Sequence, residues 1–315
     1  MNKTLLLIGG TGFFGKSIID YLSNSSFFKR KIKKVIILSR GSKKIKINKF
    51  QKKKFNLIKI NKNILTAKKI PSADYVIYCT ILKDLKKDSL AFNNYFNLAK
   101  KYHSNSRILY ISSGSVYGQQ PKNVKKIKEN YLFFNDRINF NNKLKEIHSL
   151  QKLKNEEKCH ELARFGIKIS IARCFTFSGK YLPLKKAYAV GSYALGDFIS
   201  NILKNKNIKV RSPHEVIRSY MHSEDLARWL MKILFNSNTK CPVFNVGSDK
   251  QISISKLANI LAKKFKKKVI FRQSNKKINY VDRYIPDINK AKLKLKLNIK
   301  YSNLKGIFKA IKELR

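Results

Sequence analysis

A chain of 315 residues with 43% hydrophobic content can bury a full core, and its length suits one large domain or a domain with a smaller lobe. Its formal net charge of +51 by itself suggests phosphate backbones or anionic membranes, but the lysines are spread through loops and exposed helix faces, with no basic stripe interleaved with stacking aromatics, so a specific nucleic-acid partner is not expected. No run reaches the roughly 18 uninterrupted apolar residues of a membrane span, and Cys79, Cys159, Cys174 and Cys241 lack CxxC spacing and nearby histidines, which argues against a zinc site or disulfide framework and for a reducing cytoplasm.

The predicted elements begin with TLLLIG (4–9). Preceded by Lys3, this run has the look of a secretory leader, but glycines break it and no good cleavage site follows. A helical pattern near 13–23 comes next, then the apolar runs VIILSR (35–40), NLIKI (56–60) and YVIYC (75–79), a helix near 88–101 and the run RILYISS (107–113). Runs that are apolar throughout, rather than at alternate positions, mark strands buried on both faces, as in a parallel sheet covered by helices. After a polar stretch over 119–145 the pattern resumes with a helix near 150–165 and the run KISIAR (168–173). This alternation predicts an α/β, doubly wound, Rossmann-type parallel sheet. Beyond 175 come separated helices at 191–204, 223–234, 253–265 and 303–314, with the strands VFNVGS (243–248) and VIFRQ (269–273). Ser223 is the expected cap of the helix at 223–234, and Glu224 and Asp225 suit its positive end. The expected organisation is a dinucleotide-binding domain over 1–175, rejoined by 222–248, and a smaller C-terminal substrate-binding lobe over 176–315. The lysine-rich segments 43–54 and 263–268 read as solvated faces.

The first turn carries GGTGFFG, with Gly9, Gly12 and Gly15 in the spacing GxxGxxG. Glycines at a strand-to-helix turn let backbone amides approach a pyrophosphate, which then rests on the positive helix end. Gly9, Thr11, Gly12, Phe13, Phe14 and Gly15 are therefore candidate dinucleotide-binding residues. The second strand ends in Ser39 and Arg40. A carboxylate there would bind both ribose hydroxyls of NAD. A hydroxyl and a guanidinium suit a 2′-phosphate instead, so NADP(H) is favoured and NAD(H) is the alternative.

GGTGFFG, ISSGSVYG (111–118), a helix of the form KLxxEE (152–157), RSYMHSEDLARWL (218–230) and FNVGSDKQISISKLANIL (244–261) together resemble the extended short-chain dehydrogenases that process nucleotide sugars. The likeness covers nearly the whole chain. RCFTFSGKYLPL (173–184) and RYIPDINKAK (283–292) look closest to bacterial members that dehydrate or reduce hexoses attached to dTDP or CDP. The resemblance implies a nucleotide-sugar substrate, a homodimer and a part in deoxysugar or surface-polysaccharide synthesis. It makes Ser113, three residues before the Val of VYG, the catalytic Ser or Thr. The family's Tyr-x-x-x-Lys falls on HSLQK (148–152), so Lys152 matches the lysine, which also binds the nicotinamide ribose, and His148 occupies the tyrosine position. Two literal YxxxK strings, at 181–185 and 301–305, lie beyond KISIAR, whereas the helix carrying the motif should precede that strand.

Weaker expectations follow from the same resemblance. Thr176 stands where the family often has Asn, Arg218 opens a segment that often contacts a nucleotide phosphate, and Arg283 is a second candidate for that contact. Thr80 lies at the carboxyl edge where the cofactor passes, although its neighbours ILKD depart from the usual small residues, and Asn63 replaces an acid that often faces adenine. GSVYG lacks the Asp-Glu pair that many dehydratases show at this point. Reduction is therefore expected ahead of dehydration; keto-sugar reduction or sugar-alcohol oxidation is the leading expectation, with 4,6-dehydratase or epimerase activity as the alternative. A non-catalytic nucleotide-sugar or RNA binder on the same fold is the alternative of another class.

A tyrosine at this site gives a proton to a carbonyl or, as tyrosinate, takes one from an alcohol. Histidine starts at about 6.5 rather than about 10. An ammonium ~4 Å away, worth on the order of 4 kcal/mol at an effective dielectric of ~20, pushes it further toward neutral imidazole. The result is a serviceable base and a poor acid. Three readings of His148 stay open: a working acid/base, a substrate contact in an enzyme whose proton travels through Ser113 or water, or a relic in a dead redox site.

Overall fold

The six apolar runs of the first 175 residues form strands β1 (Lys3–Ile8), β2 (Ile32–Ser39), β3 (Asn56–Asn61), β4 (Tyr75–Tyr78), β5 (Arg107–Ser113) and β6 (Lys168–Cys174). They belong to a computed structural model that describes residues 3–25, 31–40, 55–82, 84–131, 143–184, 194–272 and 281–315. The segment 43–54, the start of the helix expected from 191, and Lys185 of the first YxxxK string lie outside the described residues. A seventh strand, Val243–Val246, joins the outer edge of β6, so the order is Val243–Val246, β6, β5, β4, β1, β2, β3, with all neighbours parallel. The winding reverses between β1 and β4. Loops diverge at such a point and open a crevice at the carboxyl edge, where doubly wound sheets take their ligands.

The strands are apolar throughout because both faces are covered. In β1, Leu5 and Leu7 face one core and Leu6 and Ile8 the other, all at 0% exposure. Full burial of side chains of this size stabilises by about 1.5–3 kcal/mol each. One covering layer contains α1 (Phe13–Asn24) and the helix Ser223–Phe235, with Ile18, Leu22, Trp229 and Leu230 turned inward. The other contains the helices Leu85–Tyr102 and Lys143–Arg164, which contribute Phe92, Tyr95 and Leu162.

The structure departs from the sequence pattern at several elements. The helix expected near 150 begins at Lys143; Leu144, Ile147 and Leu150 in its first turns point outward, so they add no stripe to the core-facing pattern. His222, not Ser223, caps the helix Ser223–Phe235, its Nδ1 accepting the Glu224 N–H at 3.3 Å. The strand expected at 269–273 forms over Val269–Phe271, but its parallel partner Ile208–Val210, a three-stranded sheet of Glu215–Arg218, Ile252–Ser253 and Val281–Tyr284, and the helix Asn289–Leu295 were not evident from the pattern. Among the described residues no helix is long and apolar enough to cross a membrane. All four cysteines are free.

Candidate active site

The turn from β1 into α1 gives each glycine a separate task. Gly9 has φ +87°, and a Cβ there would fall 2.5 Å from the Thr80 hydroxyl and 2.8 Å from its backbone. Gly15 packs so tightly that a Cβ would stand 2.3 Å from the Gly10 backbone. At Gly12 the nearest atom to a Cβ would be the Gly9 carbonyl oxygen at 3.7 Å, an ordinary contact. The protein itself therefore leaves room at Gly12. A larger side chain there would obstruct the space in front of the helix. Gly12 is also the N-cap of α1 and offers no side chain to its first amides, which leaves those donors and the positive helix end available to an anion.

A cleft of about 430 Å³ lies along this edge of the sheet. Gly9, Thr11, Gly12, Phe13 and Phe14 line it from the first turn, Ser39 and Arg40 from the end of β2, and Asn63 and Thr80 from the loops after β3 and β4. Gly15 packs inward instead. The Ser39 hydroxyl is buried and has no hydrogen-bond partner among the described residues, and Arg40 beside it is exposed. An orphaned hydroxyl at the end of the second strand, next to a guanidinium, fits the ribose end of a dinucleotide. Asn63 Oδ1 accepts the Leu65 N–H at 3.2 Å and so shapes its own turn. The sequence reading missed Lys62, Ile64, Cys79, Ile81 and Leu82, which also line the cleft; their place just after the ends of β3 and β4 was the available signal. Burial pushes the Cys79 thiol up to about 12, opposed by the charge of Lys152, which places that ammonium within electrostatic reach of the cleft wall.

β5 delivers Ser113, whose hydroxyl accepts the Ser115 N–H at 3.1 Å and caps the 3-10 turn Gly114–Tyr117. The helix Lys143–Arg164 packs against this turn and carries His148 and Lys152 on one face, about one turn apart. Both are buried, at 8% and 2% exposure. His148 Nδ1 lies 3.4 Å from Ser115 Oγ. Lys152 Nζ sits 5.1 Å from the centre of the Tyr110 ring, and Glu156, the next acid along the helix face, pairs with Arg173 at 2.7 Å instead. Burial first, and the Lys152 charge second, bring the His148 ring down from 6.5 to about 4. The imidazole is therefore neutral at neutral pH. No cluster of three or more potential metal ligands occurs among the described residues.

A polar network supports this site from behind. Glu156 accepts the Ser112 hydroxyl at 2.5 Å, Arg173 donates to Glu156 and to the Tyr117 hydroxyl at 2.9 Å, and Tyr117 donates to Asn245 at 2.8 Å. It ties β5, the 3-10 turn, the helix, β6 and the seventh strand together, and its many hydrogen bonds are what a buried ion pair requires. The substrate candidates differ in how far they are committed. The Thr176 hydroxyl donates to the Ser219 carbonyl. Arg218 is paired with Asp282 at 2.6 Å and also donates to the Ile217 and Asp282 carbonyls, which ties Glu215–Arg218 to Val281–Tyr284. Arg283 donates to the Lys122 carbonyl at 3.2 Å and keeps a buried Nε without an acceptor among the described residues.

No curated protein matches the sequence. The chain is similar in structure to dTDP-glucose 4,6-dehydratase from Bacillus anthracis, solved with NAD, at a TM-score of 0.75 and 15% identity over 99% of this chain and 96% of that one. It is also similar to UDP-glucose 4-epimerase from Thermotoga maritima, solved with UDP-glucose, at a TM-score of 0.74 and 18% identity over 99% and 98% of the two chains. A dTDP-glucose 4,6-dehydratase from Streptomyces venezuelae, solved with NAD, gives a TM-score of 0.77 at 16% identity over 98% and 96%. At such identities these likenesses establish the fold. In sequence, the model of the NAD dependent epimerase/dehydratase family matches residues 5–247, a span that contains the glycine turn, Ser113, His148 and Lys152, and the chain belongs to that family.

Proposed function

We propose that this chain is an NAD(P)-dependent oxidoreductase that acts on a nucleotide-activated hexose, by sugar-alcohol oxidation or keto-sugar reduction, in deoxysugar or surface-polysaccharide synthesis. The observation that carries the proposal is a neutral, buried His148 ring against the turn that Ser113 caps, with Lys152 one helical turn further on, and a cleft at the same carboxyl edge of the sheet lined by the glycine turn and the Ser39–Arg40 strand end. The nicotinamide supplies the hydride chemistry. Ser113 hydrogen-bonds the reacting oxygen, Lys152 holds the ribose, and His148 moves the proton. A neutral imidazole takes a proton from an alcohol readily, whereas protonating a keto group needs an imidazolium that burial and Lys152 both oppose. Oxidation therefore keeps its rate at neutral pH better than reduction. Arg40 favours NADP(H); the NAD in two of the neighbouring structures makes NAD(H) the alternative. The same proposal includes a cytoplasmic homodimer without a nucleic-acid partner, a dinucleotide-binding domain over 1–175 rejoined by 222–248, and a substrate-binding lobe over 176–315 that brings Thr176, Arg218 and Arg283 to the sugar nucleotide.

A second reading, 4,6-dehydration or epimerisation, is favoured by the family itself. Incubation with NADP⁺ or NAD⁺ and a panel of dTDP-, CDP- and UDP-hexoses separates the two, with nicotinamide absorbance and the mass of the sugar followed together. Stoichiometric reduction of the cofactor supports the oxidoreductase. A changed sugar without net redox supports the second reading. Tight binding of both ligands with no conversion leaves a non-catalytic binder.

A further inference from the structure

We propose that Ser115 is the positioning residue of His148: its hydroxyl oxygen accepts the Nδ1–H of the neutral ring and leaves the Nε2 lone pair as the base of the site. The need arises from the residue at 148. A phenol has one oxygen and no tautomers, whereas a neutral imidazole has one N–H and one lone pair, and the partner of one nitrogen decides what the other offers. The contact is Ser115 Oγ to His148 Nδ1 at 3.4 Å.

Both partners are held in place. Ser115 lies within the 3-10 turn Gly114–Tyr117 with its N–H on Ser113 Oγ. Gly114 before it is packed so that a Cβ would fall 2.7 Å from the Phe175 ring and 2.8 Å from the Tyr284 hydroxyl. Tyr117 after it is anchored by Arg173 and Asn245. His148, on the facing helix, is 8% exposed, so its ring has little room to swing.

The direction of the bond follows from the proton that the ring must take up. A hydroxyl that donated to Nδ1 would leave Nε2 carrying the hydrogen, with no lone pair for a substrate proton. As an acceptor, Ser115 serves the ring before and after protonation, and the bond becomes charge-assisted once the imidazolium forms. In alcohol oxidation the O–H proton moves to Nε2, the C–H hydride leaves to the oxidised nicotinamide and the C=O bond forms. The Nδ1–H to Ser115 bond persists throughout. Ser115 thereby offsets part of the opposition of burial and of Lys152 to the charged ring.

This inference rests on the proposed function for the identity of the base, but the tautomer is measurable in the whole protein without any sugar. The ¹⁵N shifts of the His148 ring, assigned by loss of its signals in His148→Gln, are compared at neutral pH for the native protein, Ser115→Ala and Ser115→Thr. The expected result is a protonated Nδ1 in the native protein and in Ser115→Thr, with a shift toward protonated Nε2 in Ser115→Ala. In turnover, Ser115→Ala should lose about tenfold in kcat with KM nearly unchanged, the scale of one hydrogen bond, and Ser115→Thr should recover most of it. A native ring protonated on Nε2, or identical ring shifts in the native and alanine proteins, overturns the assignment. Failure of the proposed function has a different signature: His148→Ala at full rate while the tautomer still follows residue 115.

Discussion

Burial and the neighbouring Lys152 hold the His148 ring neutral down to about 4, whereas in the unfolded chain it titrates at about 6.5. Between these values the unfolded chain binds a proton that the folded chain refuses, so stability falls as pH drops through that window and this contribution is constant below it. The full effect is on the order of 3 kcal/mol. His103, also shifted down by burial, acts in the same direction, so the informative quantity is the difference between the native protein and His148→Gln. Thermal melts from pH 4 to 7 should show a shallower pH dependence in the variant; parallel curves would mean that the ring titrates normally. For activity, His148→Ala should lower turnover by ~100-fold or more, the usual loss for a general acid/base, while His148→Tyr retains or raises it and moves the pH dependence upward. An unchanged rate in the alanine variant would show that His148 carries no proton. HSLQK and the VYG segment were enough to place Ser113, His148 and Lys152 in the sequence. The Ser115 contact to the ring was not legible, since it joins residues 33 apart and a serine in a turn looks like any other.

The element that most directly tests cofactor recognition is the β1–α1 turn. Gly12→Val should abolish dinucleotide binding in calorimetry yet leave the melting temperature within a few degrees, because its Cβ would meet nothing closer than 3.7 Å. Gly15→Ala should do the reverse first: a Cβ 2.3 Å from the Gly10 backbone forces the helix off the turn, and overpacking of this kind costs about 1–3 kcal/mol. Equal losses of stability in the two variants would contradict the division of labour between these glycines. Elements were legible wherever both faces were buried, as in β1, β2, β5 and β6, because continuous apolar runs of this length have few uses other than a strand covered on both faces. The helix Asn289–Leu295 escaped notice for the opposite reason. Only Ala291 and Leu295 of its seven residues are buried, and lysines occupy 290, 292 and 294. The strands Ile208–Val210 and Val281–Tyr284 are only three and four residues long, below the length at which a period of two can be recognised.

At the scale of the whole molecule, the +51 charge produces a positive field that would draw in an anionic ligand such as the proposed sugar nucleotide. Raising ionic strength from ~0.01 to ~0.15 M shortens the screening length from about 30 to about 8 Å. The KM for a nucleotide sugar should rise across that range while kcat stays level; a KM independent of salt would show that the lysines do not steer the substrate. The Ser39 hydroxyl, buried without a partner among the described residues, acts on the same global scale through the melting curve. An unmatched buried hydroxyl opposes folding by roughly 1–3 kcal/mol, and a ribose that supplies its partner removes that opposition. Ser39→Ala should therefore melt at a higher temperature than the native protein before any dinucleotide is added, and gain fewer degrees once it is. A native protein that is no less heat-resistant than the alanine variant would rule this out. If the trade holds, thermostabilising the chain at position 39 would select against the recognition it serves, and a hunt for hardier variants would erode the cofactor site first.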